Sequence, residues 1–218
     1  MNIGKENGNV EMKSKQKWKE LIEENDYILV GVGEEWESDE MGEELSEAYE
    51  RLAGMLAGTD YFVVTTAMDG WIWKTDLDKN RIVAPCGNRN FLQCSAACCE
   101  EIWRREDAPE GGQCPRCGAS LVPNTVEEKP YVEAGYLPQW KAYMTWLQRS
   151  LNRKLLLLEL GVGFRTPTVI RWPFEKTAYL NQKSTFYRVH EKLFQLPDNL
   201  DGRGNAVAKN SVEWLCSL

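Results

Sequence analysis

The chain has 218 residues, 43% of them hydrophobic, with nine tryptophans and a formal net charge of -7. That length fits one large domain, or one domain with a small insert, and the apolar content is enough to fill a core. The acidic balance argues against a nucleic-acid partner, because phosphate contacts need a concentrated basic surface. No apolar run is long enough to cross a bilayer, so no membrane association is expected.

Residues 1–13 are polar, lack the apolar middle of a secretion signal and read as a disordered lead-in. The expected compartment is therefore the cytoplasm, where cysteines stay reduced. Residues 14–218 read as the folded unit. Ser14 is a plausible N-cap for a helix that lines up Trp18, Leu21 and Ile22. YILVGVG, from Tyr27 to Gly33, is β-branched and apolar and stops on glycines, the pattern of a buried parallel strand entering a tight turn. Leu45, Ala48, Leu52 and Met55 then form one helical stripe that ends at Gly58. YFVVTT predicts the next strand and RIVA, Arg81 to Ala84, another. The cysteine-rich segment follows, and VPNTVEEKP reads as a connection. Beyond it, LPQWKAYMTWLQRSLN predicts a helix with Pro138 in its first turn and a stripe of Trp140, Tyr143, Met144, Leu147 and Leu151. KLLLLELGVG predicts a second apolar strand ending on glycines, TPTVIRWPFEKTAYL a helix, FYRV a strand and GNAVAKNSVEWL a C-terminal helix. The tryptophans at 140, 146, 172 and 214 sit in apolar stripes, which favours core packing over base stacking.

Helices alternating with fully apolar strands predict an α/β chain with a Rossmann-like, doubly wound parallel sheet. Ligands in that architecture bind beyond the C-terminal ends of the strands. The strand ends that matter are Gly31 and Gly33, Thr65, Thr66 and Asp69, Gly161 and Gly163, and the region after Val189. Gly161 and Gly163 can bring backbone N–H groups to a phosphate or simply turn the chain, and both readings stand. The acidic run from Glu34 to Glu50 reads as a solvated helix face, with a docking surface as the alternative.

The cysteine segment has no helix–strand rhythm and reads as a small inserted zinc-ribbon module, placed at about residues 86–130. Cys114-Pro-Arg-Cys117-Gly is a knuckle in which a tight turn aims two thiolates at one point. Cys94 and Cys98 supply the second pair, at ribbon-like spacing, with Cys99 competing for the place of Cys98. Four protein ligands leave no open position, so such a zinc is structural and contributes to folding.

The succession of a glycine-ended strand, TTAMDG at Thr65 to Gly70, Cys86-Gly87, the zinc ribbon and a strand ending GVG resembles the sirtuins, the NAD-dependent protein deacylases. CSAAC and LELGVGFRTPTVIRWPF are similar to the macrodomain-linked microbial group of that family, which is associated with ADP-ribosyl transfer. The resemblance runs from about Tyr27 to Trp214. It implies a cleft for NAD or ADP-ribose at Gly31, Gly33, Thr66, Asp69, Gly161, Gly163 and His190, and a protein partner or protein substrate. It also places Asp69 and Cys86 at the catalytic positions. The departures fall on the chemistry: Ala67 stands for the family's Asn and Cys86 for its His, and the stretch that closes over nicotinamide is missing after Gly33.

Glu34 and Glu35 follow that glycine turn. A carboxylate about 5 Å from a phosphate charge, at an effective dielectric near 20, repels it by roughly 3 kcal/mol before solvent screening. Cys86 can serve as a nucleophile or as a small buried side chain, and His190 can bond a ribose or sit at the surface. Two functions follow. One is a sirtuin-like zinc protein without ordinary deacylase activity that uses its sheet-end cleft for a partner or an altered nucleotide. The other is an active NAD-dependent ADP-ribosyltransferase or deacylase.

Overall fold

A computed structural model of the protein describes residues 16–200 and 202–218. The lead-in and the Ser14 cap lie outside them. Helix α1 covers residues 16–23 and delivers the chain to strand β1 (Tyr27–Val32). Helix α2 (Glu43–Leu56) and strands β2 (Tyr61–Thr65) and β3 (Ile82–Val83) follow. Strands β4 (Gly87–Cys94), β5 (Trp103–Arg104) and β6 (Leu121–Thr125) belong to the cysteine module. The chain returns through helix α3 (Leu137–Arg149), strand β7 (Leu155–Leu160), helix α4 (Arg171–Leu180), strands β8 (Ser184–Val189) and β9 (Gly204–Val207), and helix α5 (Ser211–Cys216).

Six strands make one sheet in the order β3-β2-β1-β7-β8-β9, every pair parallel. β1 lies between β2 and β7, with Leu29 opposite both Phe62 and Leu157. A parallel sheet is covered on both faces, so successive residues of β1 enter different cores. Ile28, Val30 and Val32 pack with Leu45, Leu52, Leu56, Val212 and Leu215 of α2 and α5. Leu29 packs on the other face with Phe62, Leu157, Tyr143 and Trp146 of α3, and Phe174 of α4. Burying each such aliphatic side chain contributes about 1.5–3 kcal/mol, which explains why these strands read as continuous apolar runs.

One residue breaks the apolar run of β7. Glu159 is fully buried, and its carboxylate accepts from Arg188 Nε at 2.6 Å and Arg188 Nη2 at 3.1 Å. Arg188 also donates to Glu175 at 2.7 Å and to Gln195 O at 2.6 Å. Arg171, 3.5 Å from Glu159, donates to Val162 O and Leu193 O, both at 2.9 Å. The network thus ties the loops that follow β7 and β8 to the middle of the sheet.

Several sequence expectations are corrected. LVPNT is strand β6, paired antiparallel with β4, where the breakers Pro123 and Asn124 suggest a connection. GNAV is the edge strand β9, so the terminal helix begins only at Ser211, behind the side-chain cap of Asn210. Turn residues occupy 167–170, and α4 starts at Arg171. On α3 the sheet takes Tyr143 and Trp146, whose indole Nε1 donates to Asp60 Oδ1 at 2.8 Å; Met144 and Leu151 are exposed. Trp172 is 52% exposed and does not pack in the core.

The second sheet, β5-β4-β6, is antiparallel and carries the cysteines. Gly87 pairs with Thr125, so the segment leaves and rejoins the large sheet through adjacent backbone. Among the described residues no helix is long and apolar enough to cross a membrane.

Candidate functional site

The C-terminal ends of β1, β2, β7 and β8 meet at one edge, and the glycines predicted there are close together. Gly31 is not at the surface of that edge: a Cβ on it would lie 2.5 Å from Ile170 Cγ2 and 3.0 Å from Phe174, so it lets α4 lie against β1. Gly33 packs backbone to backbone, since a Cβ there would overlap Gly161 O and Val162 Cα. Gly161 has φ +63°, in the left-handed region that favours glycine, and a Cβ on it would meet Glu35 and Ser211.

The chain after Gly33 forms a short 3-10 helix, Glu34–Trp36, and lies across these ends. Trp36 is fully buried, stacks edge-on against Tyr49 at 4.7 Å and donates from Nε1 to Ser211 Oγ at 3.0 Å. Three carboxylates project from the strap it anchors. Glu34 accepts from the backbone N–H of Gly163 and, at 3.3 Å, from that of Arg165. Glu35 accepts from the backbone N–H of Ser211 at 2.7 Å and of Glu191 at 2.8 Å, and lies 3.1 Å from His190 Nδ1. Glu37 pairs with the guanidinium of Arg165 and, at 3.0 Å, with Arg89. Arg165 donates in addition to Thr66 O at 3.2 Å.

The remaining predicted residues surround this strap. Asp69 accepts from Ser38 N at 3.0 Å and Trp71 N at 2.9 Å, and so holds the strap to the loop after β2. Burial pushes its carboxyl above the usual range, while those two N–H groups pull it back. Thr66 is buried beside Arg165, and its hydroxyl has no hydrogen-bond partner among the described residues. Cys86 is buried and its thiol donates to Thr166 Oγ1 at 3.6 Å. Burial raises its pKa, and the Thr166 contact and the Arg165 charge only partly oppose that. His190 accepts at Nδ1 from Lys192 N at 3.1 Å and Leu193 N at 3.2 Å. Burial lowers its pKa, with Glu35 pulling the other way; the two N–H donors at Nδ1 favour the neutral ring.

Sequence reasoning places Glu34 and Glu35 at the first glycine turn, but their actual partners lie in distant loops, at Gly163, Arg165, Glu191 and Ser211. Arg89, Glu37 and Arg165 have no marking pattern in the sequence. Arg165 falls in the loop after β7, and its contacts with Glu34, Glu37 and Thr66 show its part in the site.

The cysteines form a separate centre at the tip of β4. Cys94, Cys98, Cys114 and Cys117 place their sulfurs within 4.8 Å of one another, and Cys94–Cys117 and Cys98–Cys114 are each 3.5 Å apart. Four thiolates about 2.3 Å from a tetrahedral metal lie about 3.8 Å from one another, so this cluster fits such an ion. Cys99 is not among the four clustered sulfurs. The local fold explains the aim: Ala97 adopts a positive φ that turns Cys98 back toward Cys94, and the Gly118 N–H returns to Cys114 O at 2.8 Å.

Two clefts lie away from the sheet ends. One of about 730 Å³ runs between α1, α2 and α5. The other, about 1030 Å³, opens between the cysteine module and the loop after β2, with Trp73, Asn88, Arg104 and Tyr136 among its walls.

No family model matches the chain. It is 22% identical over 176 residues to a protein ADP-ribosyltransferase of Staphylococcus aureus (strain Mu50), a match that covers 73% of this chain and 56% of that protein. It is 30% identical over 144 residues to a "Probable bifunctional ADP-ribose hydrolase/ADP-ribosyltransferase" of Fusarium oxysporum f. sp. cubense, covering 54% of this chain and 23% of that one. The chain therefore spans little more than half of the first relative and about a quarter of the second. Solved structures of two Sir2 homologue mutants in complex with ADP-ribose superpose with TM-scores of 0.60 and 0.61, each at 11% identity over 92% of this chain and 93% of the other. The parallel strand order and these superpositions together show that the chain carries the Sir2 fold.

Proposed function

We propose that this chain is a sirtuin-like protein with a structural zinc in which ordinary NAD-dependent deacylation is lost, and whose sheet-end cleft serves a protein partner or an altered nucleotide. The observation that carries this reading is the Glu34 carboxylate seated on the backbone N–H groups of Gly163 and Arg165. Those donors are the ones a phosphate would use, and they are already satisfied by a group of the same charge. Asp69 is engaged with two backbone N–H groups, and Cys86 is a buried thiol whose hydrogen bond runs to the Thr166 hydroxyl. Neither is poised for proton transfer from a ribose hydroxyl.

The zinc assignment rests on the all-sulfur donor set, because soft thiolates in a closed tetrahedron select zinc. The ion would fix the β4 tip and the knuckle to one another and supply no reactive position. Calorimetric titration with NAD and ADP-ribose tests the cleft: the expected result is no measurable binding, and a micromolar dissociation constant for NAD would overturn the reading.

A second reading is NAD-dependent ADP-ribosyl transfer to a protein, favoured by the names of the Staphylococcus aureus and Fusarium oxysporum relatives. It requires the strap to open. Mass added to a protein target together with released nicotinamide would establish it.

A further inference from the structure

We propose that the cleft between the cysteine module and the loop after β2 is a docking site for an extended, carboxylate-rich segment of a partner protein. The cleft holds about 1030 Å³ and stands apart from the strand-end site: none of Asp69, Cys86, Arg165 and Thr166 lines it. The inference therefore does not depend on whether the strand ends take a nucleotide.

The cleft runs between two sheet edges. Ile82 lies on β3, an end strand of the six-stranded sheet, and Arg104 on β5, an end strand of the small one; both line the cleft. An end strand carries backbone N–H and C=O groups with no strand beside them, and a chain laid along it uses those groups when it is extended. Half-buried aromatic side chains supply apolar anchoring points. Tyr131 and Tyr136 stack with 13° between their rings, and the Tyr131 hydroxyl donates to Pro85 O at 3.1 Å, which fixes the pair in place. Phe91 lies opposite Arg104 across β4 and β5. Aromatic side chains of this kind carry much of the affinity at protein interfaces.

Charge selects the partner. The chain carries a formal charge of -7, yet Lys74, Lys79, Arg104 and Arg105 line this cleft against two carboxylates, Glu100 and Glu106. Lys74 sits 4.3 Å from the ring centre of Trp71, Lys79 donates to Thr75 O and Arg105 donates to Arg89 O at 3.0 Å; none of these contacts neutralises the cation. Arg104 reaches Glu106 at 3.6 Å, but both side chains are largely in solvent, where such a pair contributes little. Asp76 and Asp78 act on Lys79 without lining the cleft. An extended segment alternates its side chains, so carboxylates at every second position can meet the cations while apolar neighbours meet the aromatic rings. Nucleic acid fits less well, because Glu100, Glu106 and the acidic chain as a whole repel phosphate.

The test is fluorescence anisotropy of the full chain with a labelled peptide that alternates Glu and Val over about eight residues, beside a Lys-Val peptide and an oligothymidylate of equal length. Wild type should bind the Glu-Val peptide at least about tenfold more tightly than either control, and the preference should shrink as salt rises. Lys74→Glu combined with Arg105→Glu, both at exposed positions, should weaken that binding at least about tenfold, whereas Lys176→Glu on α4 should leave it unchanged. Added ADP-ribose should not displace the peptide. The proposal is overturned by absence of Glu-Val binding, by equal affinity for the two peptides, or by a double variant that binds as wild type does. Tighter binding of oligothymidylate would assign the cleft to nucleic acid, and displacement by ADP-ribose would put the peptide at the strand ends; either result also overturns it.

Discussion

Arg188 on β8 grips Glu159 on β7 through two hydrogen bonds, 2.6 and 3.1 Å long, inside a sheet that is otherwise apolar at that level. Burial pushes the Glu159 carboxyl up, and Arg188 and Arg171 hold it down. Because each partner alone would lose its two-point counter-charge inside the sheet, Glu159→Leu or Arg188→Met should each cost about 3–5 kcal/mol. Replacing both together, Glu159→Leu with Arg188→Met, should cost much less than the sum. Urea unfolding of the three variants measures this, and additive losses would contradict it.

The cysteine cluster makes a sharp forecast about two adjacent residues. Purified protein should carry one zinc, and Cys98→Ser or Cys117→Ser should release it and lower the melting temperature. Cys99→Ser should do neither. Elemental analysis with a thermal scan decides, and metal loss from Cys99→Ser alone would reverse the ligand assignment.

Cys86 should behave as an inert thiol. Its pKa in the folded chain is raised, so on titration the unfolded chain loses this proton first. Stability from the buried neutral thiol is therefore complete below the ordinary thiol range and declines as pH rises through it. Unfolding free energies measured from neutral to alkaline pH should show a fall that is smaller in Cys86→Ala than in the wild type. Alkylation followed by mass spectrometry should mark Cys99 well before Cys86.

Incubated with NAD and an acyl-lysine peptide, the wild type should release no nicotinamide above background. A positioned general base supplies a rate factor of roughly 10² to 10⁴, and neither the protonated Cys86 nor Ala67 replaces it. Release that disappears in Cys86→Ser would identify a substituted mechanism; release that persists would direct attention to Asp69.

The central strands are legible in the sequence because burial on both faces excludes polar residues from YILVGV and LLLLEL, except where Arg188 compensates Glu159. The thiol pairs are legible because their spacing is the one a tetrahedral sulfur site needs, though only the folded turn at Ala97 leaves Cys99 out of the cluster. β6 escapes notice because it pairs within a small sheet that tolerates Pro123, and β9 because GNAV is a short edge strand next to a helix. At the cleft, Glu34 and Glu35 are visible as charges near a glycine turn, but their partners lie more than a hundred residues away along the chain. Local pattern carries no information about such long-range pairs, and it equally leaves Glu37, Arg89 and Arg165 unmarked.

The pairing of β1 with β7, Ile28 opposite Leu156, brackets the entire cysteine module. During synthesis the middle of the sheet cannot close until the ribosome has delivered β7, and until then β1 can pair only with β2. Joining ends so far apart carries a loop-closure entropy that grows with the length of free chain between them. A cysteine module that folds first brings Gly87 to Thr125 and removes that stretch from the loop. Zinc supplied late should therefore slow the appearance of native protein even where the final yield is unchanged.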